Sequence, residues 1–228
     1  MIMTNTSLRH TDSGARPFIV FEGLDNSGKS TQIQLLSQWL TQQNIPHLTL
    51  REPGSTPVGE QIRALLKTEH MTDQARLLLF NACRNMLLEH ISHYPNHWIL
   101  CDRYKQSTWA YQHYGKGLSA HLLETLDNIH EHNRNPDLII YLESGASQTL
   151  APRDELEKIS IDRVRQGYET MMAQANASAT DSVHAHSAHT STASIHTTWL
   201  KIPHTSIEET AQIIQNYISK HLLHHIKY

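Results

Sequence analysis

The segment Gly23-Leu24-Asp25-Asn26-Ser27-Gly28-Lys29-Ser30 constrains the fold more than any other part of the chain. Its glycines let the backbone turn tightly and aim N–H groups inward, its lysine supplies a point charge, and its serine supplies a hydroxyl. It follows the apolar run Phe18-Ile19-Val20-Phe21 and precedes an apolar-periodic stretch at 31–43. A buried strand, a glycine-rich turn and a helix start, in that order, make an anion cradle, because unpaired N–H groups and the helix dipole both favour phosphate. Gly23, Leu24, Asp25, Asn26, Ser27, Gly28, Lys29, Ser30 and Thr31 are therefore candidates for holding ATP. Lys29 would meet the β and γ phosphates and Ser30 would meet Mg²⁺.

Further short apolar runs at 47–50, 98–101 and 138–142 alternate with helical patterns at 58–68, 72–94, 119–133 and 206–225. Strands separated by helices predict an α/β chain of the P-loop NTPase fold, with a parallel sheet of about five strands covered by helices on both faces. Thr56 before Pro57, and Thr72 before Asp73, offer helix caps. The run at 98–101 ends at Asp102, whose carboxylate is a candidate second Mg²⁺ ligand at the carboxyl edge of the sheet, or a helix cap.

The 228 residues suit one domain, expected over 17–228 after a polar, disordered tail at 1–16. Residues 176–198 are nearly all Ala, Ser, Thr and His, and are expected to form an insertion outside the core. His221, His224 and His225 share a helical face, but no carboxylate or cysteine completes a metal set, which favours solvated histidines. A net charge of −3 with mixed signs argues against nucleic acid and a polybasic membrane anchor. Cys83 and Cys101 lie in apolar runs without paired spacing, and no apolar run approaches a membrane span, so a cytoplasmic chain with reduced thiols is expected.

Five segments carry a resemblance. Residues 18–32 read FIVFEGLDNSGKSTQ; Arg51 to Pro57 read REPGSTP; Leu78-Leu79-Phe80 stand four residues before Arg84; Asp102 to Gln112 read DRYKQSTWAYQ; and Pro136 to Leu142 read PDLIIYL. In this order they resemble the thymidylate kinase family over about 18–168, and more weakly over 199–218. The resemblance implies phosphoryl transfer from MgATP to dTMP, with a homodimer as the assembly. It also implies that Phe80 stacks on thymine beside Arg84, that Ser107, Thr108, Tyr111 and Gln112 meet base and sugar, and that Tyr111 disfavours a ribose 2′-hydroxyl. Arg51 and Arg103 would grip the acceptor phosphate, and Asp25 would lie near the 3′-hydroxyl. Spacings of three and four residues fit a shared helical face for each set.

One departure concerns the mobile arginine that such kinases bring to the transferring group. The phosphate loop has Asn26 where one group of the family has arginine, which shifts that role to a lid expected at 148–160, with Arg153 and Lys158. The lid is about five residues shorter than the family's RGELDRIE type, and Arg163 or Arg165 are the alternative cations. A missing arginine can cost roughly 10³ to 10⁵ in turnover. A kinase for dUMP, another nucleotide or a nucleoside, and a nucleotide-binding regulatory protein, are the competing functions.

Overall fold

The computed structural model describes residues 3–4, 16–130, 134–145, 159–181 and 197–223. Strand β2 (Phe18–Glu22) leads into helix α1 (Lys29–Gln42), followed by β3 (His47–Arg51), α2 (Pro57–Thr68), α3 (Asp73–Ser92) and β4 (Trp98–Asp102). Next come α4 (Lys105–Thr108), a π-helix (Trp109–Gly115), α5 (Ala120–Asn128), β5 (Leu138–Leu142), α6 (Ile161–Asp181), β6 (Thr198–Ile202) and α7 (Ile207–His221). Strands β6-β5-β2-β4-β3 lie side by side, and each neighbouring pair is parallel. This bears out the α/β sheet expected from the alternation. Within the tail at 1–16, expected to carry no order, β1 (Met3–Thr4) pairs antiparallel with Lys201 and Leu200.

The period of two along a strand divides the core into two layers. On β2, Ile19 and Phe21 pack with Leu36 and Leu40 of α1 and with Ile214 and Ile218 of α7. Phe18 and Val20 face the other way, onto Leu87 and Leu88 of α3 and Val164, Tyr168 and Met172 of α6. All four of these side chains are fully buried. Each such side chain stabilises the fold by about 1.5–3 kcal/mol, which is why the strand at the centre of the sheet reads as a continuous apolar run.

Helix starts follow the expected caps. Thr56 Oγ1 accepts the Gly59 N–H at 3.0 Å with Pro57 in the first turn, and Thr72 Oγ1 accepts the Ala75 N–H at 3.2 Å. Each cap is worth about 1 kcal/mol. Three elements depart from expectation. Among the described residues, the pattern read at 119–133 gives a helix over Ala120–Asn128. Helix α6 is not among the expected elements, and it takes in 176–181, the first residues of the tract expected to stand outside the core. Strand β6 begins at Thr198, that tract's last residue, and its side chains from Thr198 to Leu200 are buried.

Candidate active site

Two glycines shape the turn after β2. At Gly23, φ is +140° and a Cβ would lie 2.5 Å from the Leu142 carbonyl oxygen and 2.8 Å from Ser27 Oγ, so only glycine fits. Gly28 has open space around it but sits at φ +89° as the cap of α1, so there the backbone conformation is what demands glycine. The turn delivers Lys29 and Ser30 to the first positions of α1. Lys29 is buried, and its ammonium donates to the carbonyl oxygens of Leu24 at 2.7 Å and Gly23 at 3.1 Å. Ser30 Oγ donates to Asp102 Oδ2 at 2.8 Å, across from the end of β4. The other Asp102 oxygen, Oδ1, is buried with no hydrogen-bond partner among the described residues.

Beyond the phosphate loop opens a cleft of about 620 Å³. It is lined by Asp25, Lys29 and Ser30, by Phe80, Tyr111 and Gln112, and by Arg103. The Arg103 guanidinium donates to Asp25 Oδ1 at 2.7 Å and to Ser107 Oγ at 2.8 Å, and lies over the Tyr111 ring at 5.2 Å. Arg51 also reaches the cleft from the end of β3, where it pairs with Glu60 at 2.8 Å. Thr31, Ser107 and Thr108 also line the cleft. Tyr111 and Gln112 come to the cleft on a π-helix instead of the regular helix that their spacing implied. Such wide turns occur mostly as short pieces at functional sites.

Arg84 is placed differently from its expected position beside Phe80 in the open site. It is 1% exposed and is not among the residues that line the cleft. Its guanidinium is engaged by Glu52 Oε1 at 2.5 Å, by Thr108 Oγ1 at 2.6 Å and by Asp127 Oδ1 at 3.1 Å. The cause is Glu52, a carboxylate 4% exposed that needs a cation nearby. Of the lid at 148–160, all but Ile159 and Ser160 lies outside the described residues, so Arg153 and Lys158 are not placed. The alternative cations stand on α6, where Arg163 is exposed and Arg165 pairs with Asp162 at 3.1 Å.

The thymidylate kinase family model matches residues 21–198. The chain belongs to that family. A thymidylate kinase of Chlorobaculum parvum is 43% identical over 143 residues, covering 60% of this chain and 63% of that relative. One from Carboxydothermus hydrogenoformans is 36% identical over 167 residues, covering 66% and 81%. Among solved structures, the thymidylate kinase of Ehrlichia chaffeensis superposes with a TM-score of 0.68 at 25% identity, covering 90% of this chain and 99% of that one. Members of the thymidylate kinase family are nucleoside-monophosphate kinases that take ATP as donor and transfer its phosphoryl group to dTMP. Among the described residues, no helix is long and apolar enough to cross a membrane.

The electrostatics of this kinase site centre on Lys29. Burial, with the neighbouring Arg103 charge second, pulls its ammonium down to about 8, against the pull of Asp102, Glu22 and Asp25. Arriving phosphate charge favours the protonated form and so raises that value. Nucleotide binding is therefore expected to take up protons at pH just above 8, with uptake fading toward pH 7, where Lys29 is already charged. Calorimetry of ATP binding in buffers of different ionisation heat measures this uptake. Equal uptake at both pH values would contradict the placement of Lys29.

Sequence reasoning missed Glu22. It closes the apolar run of β2, is fully buried, and accepts four hydrogen bonds. The available signal was a carboxylate directly following four buried strand residues, a position that requires partners.

Proposed function

We propose that the phosphates of ATP lie on Gly23 to Thr31, and that dTMP lies in the cleft with its base beside Phe80, Thr108 and Gln112. In this reading Arg51 and Arg103 grip the acceptor phosphate, and Tyr111 crowds the sugar edge. Asp25, which accepts from Arg103 at 2.7 Å, lies near the 3′-hydroxyl. The observation that carries the reading is the cleft itself, whose lining brings together Lys29, Arg103 and Gln112. Its volume, about 620 Å³, suits a nucleotide-sized ligand. Catalysis then consists of holding donor and acceptor in line while Lys29 and Arg103 balance the charge on the transferring group. No covalent intermediate on the protein is required.

Mg²⁺ fits the same geometry. Asp102 keeps one buried oxygen without a partner and shares the other with the Ser30 hydroxyl, so two hard oxygen donors stand beside the phosphate loop. Among the described residues no group of three or more His, Cys, Asp or Glu side chains could hold a metal ion. Mg²⁺ commonly takes one or two protein oxygens and completes its shell with phosphate and water. Held by Ser30 and Asp102, it would supply positive charge against the donor phosphates. With Asn26 in the loop, Arg153 of the lid is the residue we assign as the mobile cation. A cytoplasmic location and a homodimer belong to the same reading and rest on family membership.

Charged acceptor recognition has a direct test. Hydrogen bonds to charged groups are each worth about 1.5–3 kcal/mol, so dTMP is expected to bind at least about tenfold more tightly than thymidine. Arg103→Ala is expected to narrow that gap. Equal affinities for dTMP and thymidine in the parent would contradict the placement of the acceptor phosphate.

A further inference from the structure

Arg103 must hold an unusual posture to reach the cleft. It follows the last residue of β4 and sits at φ +70°, a conformation costly for a residue with a long side chain. Such strain persists only where the surroundings over-determine it. Backbone pairing supplies one anchor, the Arg103 N–H donating to the Phe21 carbonyl at 3.0 Å. The next residues along the turn are held in part by the side chain of Glu22.

Both oxygens of that carboxylate are engaged. Oε1 accepts the N–H groups of Tyr104 at 2.9 Å and Ser107 at 3.1 Å. Oε2 accepts the hydroxyls of Ser107 at 2.6 Å and Tyr168 at 2.8 Å. Because Ser107 gives its hydrogen to Glu22, its oxygen lone pairs are turned toward Arg103, whose Nη1 donates to it at 2.8 Å. The chain of contacts runs from Glu22 through Ser107 to the Arg103 guanidinium, and from there to Asp25. Tyr168 brings in a third element, since it stands on α6, the helix that follows the lid in sequence. Helix α6 is seated closely: a Cβ on Gly167 would lie 2.6 Å from the Tyr114 ring of the π-helix.

We propose that Glu22 is a positioning residue for phosphoryl transfer, which fixes Arg103 toward Asp25 and the acceptor phosphate and ties α6 to the same turn. It touches no reacting atom. The assignment deepens the functional reading above and depends on it for its kinetic consequence, although the geometry of Arg103 can be tested separately.

Glu22→Gln keeps the size of the side chain but puts an amide where two hydroxyls donate. The Ser107 hydrogen must then turn away, toward the face that receives Arg103. Misplacement of a catalytic contact by about 1 Å can cost 10²-fold, so kcat is expected to fall by up to about 10²-fold, with KM for ATP within about twofold of the parent. The deciding readout is a double-mutant cycle. In an Arg103→Ala background, Glu22→Gln is expected to cost less than about threefold, because the route of its action is gone. A crystal structure of Glu22→Gln without ligands is expected to show the Arg103 guanidinium turned away from Asp25, beyond hydrogen-bond distance. Tyr168→Phe removes only one of the four hydrogen bonds and serves should Glu22→Gln fail to fold. Its smaller loss in kcat, about tenfold at most, is likewise expected to vanish without Arg103. Overturning results are an unchanged Arg103–Asp25 ion pair, a parental kcat, or losses that multiply equally with and without Arg103. A parent without dTMP-dependent turnover would sink the functional reading, and the position of Arg103 in the crystal would still decide the role of Glu22.

Discussion

Arg84→Ala is expected to destabilise the fold by about 3–5 kcal/mol, because it strips the cation from a buried ion pair and leaves the other charge in place. Arg84 and Glu52 have side chains 1% and 3% exposed, and Arg84 also serves Asp127 and Thr108. Burial already pushes the Glu52 carboxyl above the usual carboxylate range, and the Arg84 charge is the main force opposing it. Without Arg84, the folded-state value rises further. A group raised in the folded state contributes its stability fully below its unfolded value and loses it as pH rises through the folded one. The deficit of the variant is therefore expected to be large at pH 7 and smaller near the ordinary carboxylate range. For a chain of 228 residues, the loss at pH 7 corresponds to a fall in Tm of roughly 6–20 °C. Thermal unfolding at both pH values measures it. Adding Glu52→Gln to the variant is expected to recover part of the loss, since the stranded charge goes with it. A Tm within a degree or two of the parent would mean that the pair is not buried as described.

The same pair shows what sequence could and could not reveal. Phe80 and Arg84, four apart on a helix, do lie on neighbouring turns of α3, as their spacing requires. Which of them faces the cleft depends on Glu52, a residue 32 positions away whose burial no local pattern announces. The glycine-rich turn is legible in the sequence, because Gly23 and Gly28 answer to local geometry. Asp102 is legible for a similar reason, standing at the end of an apolar run where the sheet must present its carboxyl edge. Glu22 stands in an equivalent place at the end of β2. Its role stays hidden in the sequence because its partners, Tyr104, Ser107 and Tyr168, are brought to it only by the tertiary fold. The π-helix is hidden as well, since residues 109–115 carry no signature that separates a wide turn from a regular one.

Helix α6 carries a readable stripe at Ile161, Val164, Tyr168 and Met172, and all four belong to or pack against the core layer beneath α3. The low-complexity tract that begins within the same helix obscures the stripe. Strand β6 is masked by that tract too, because Thr198 looks like one more polar residue until Trp199 and Leu200 follow it into the sheet.

Lys29→Ala is expected to cause a large kinetic loss in acceptor-dependent phosphoryl transfer. Lys29 already lies in a buried, low-dielectric position, tethered to the carbonyls of Gly23 and Leu24. Its charge there is worth more than in water, and it is needed most where phosphate charge develops. Removing one such preorganised donor typically costs 10² to 10³, so a loss of about 10³-fold in kcat is expected, with the fold retained. The most direct measurement is ADP release from MgATP with dTMP, dUMP, thymidine or no acceptor, in the parent and in Lys29→Ala. The expected result is release that requires dTMP, is weak with thymidine, and falls about 10³-fold in the variant. ADP release that ignores the acceptor, or that survives Lys29→Ala at the parental rate, would contradict the account.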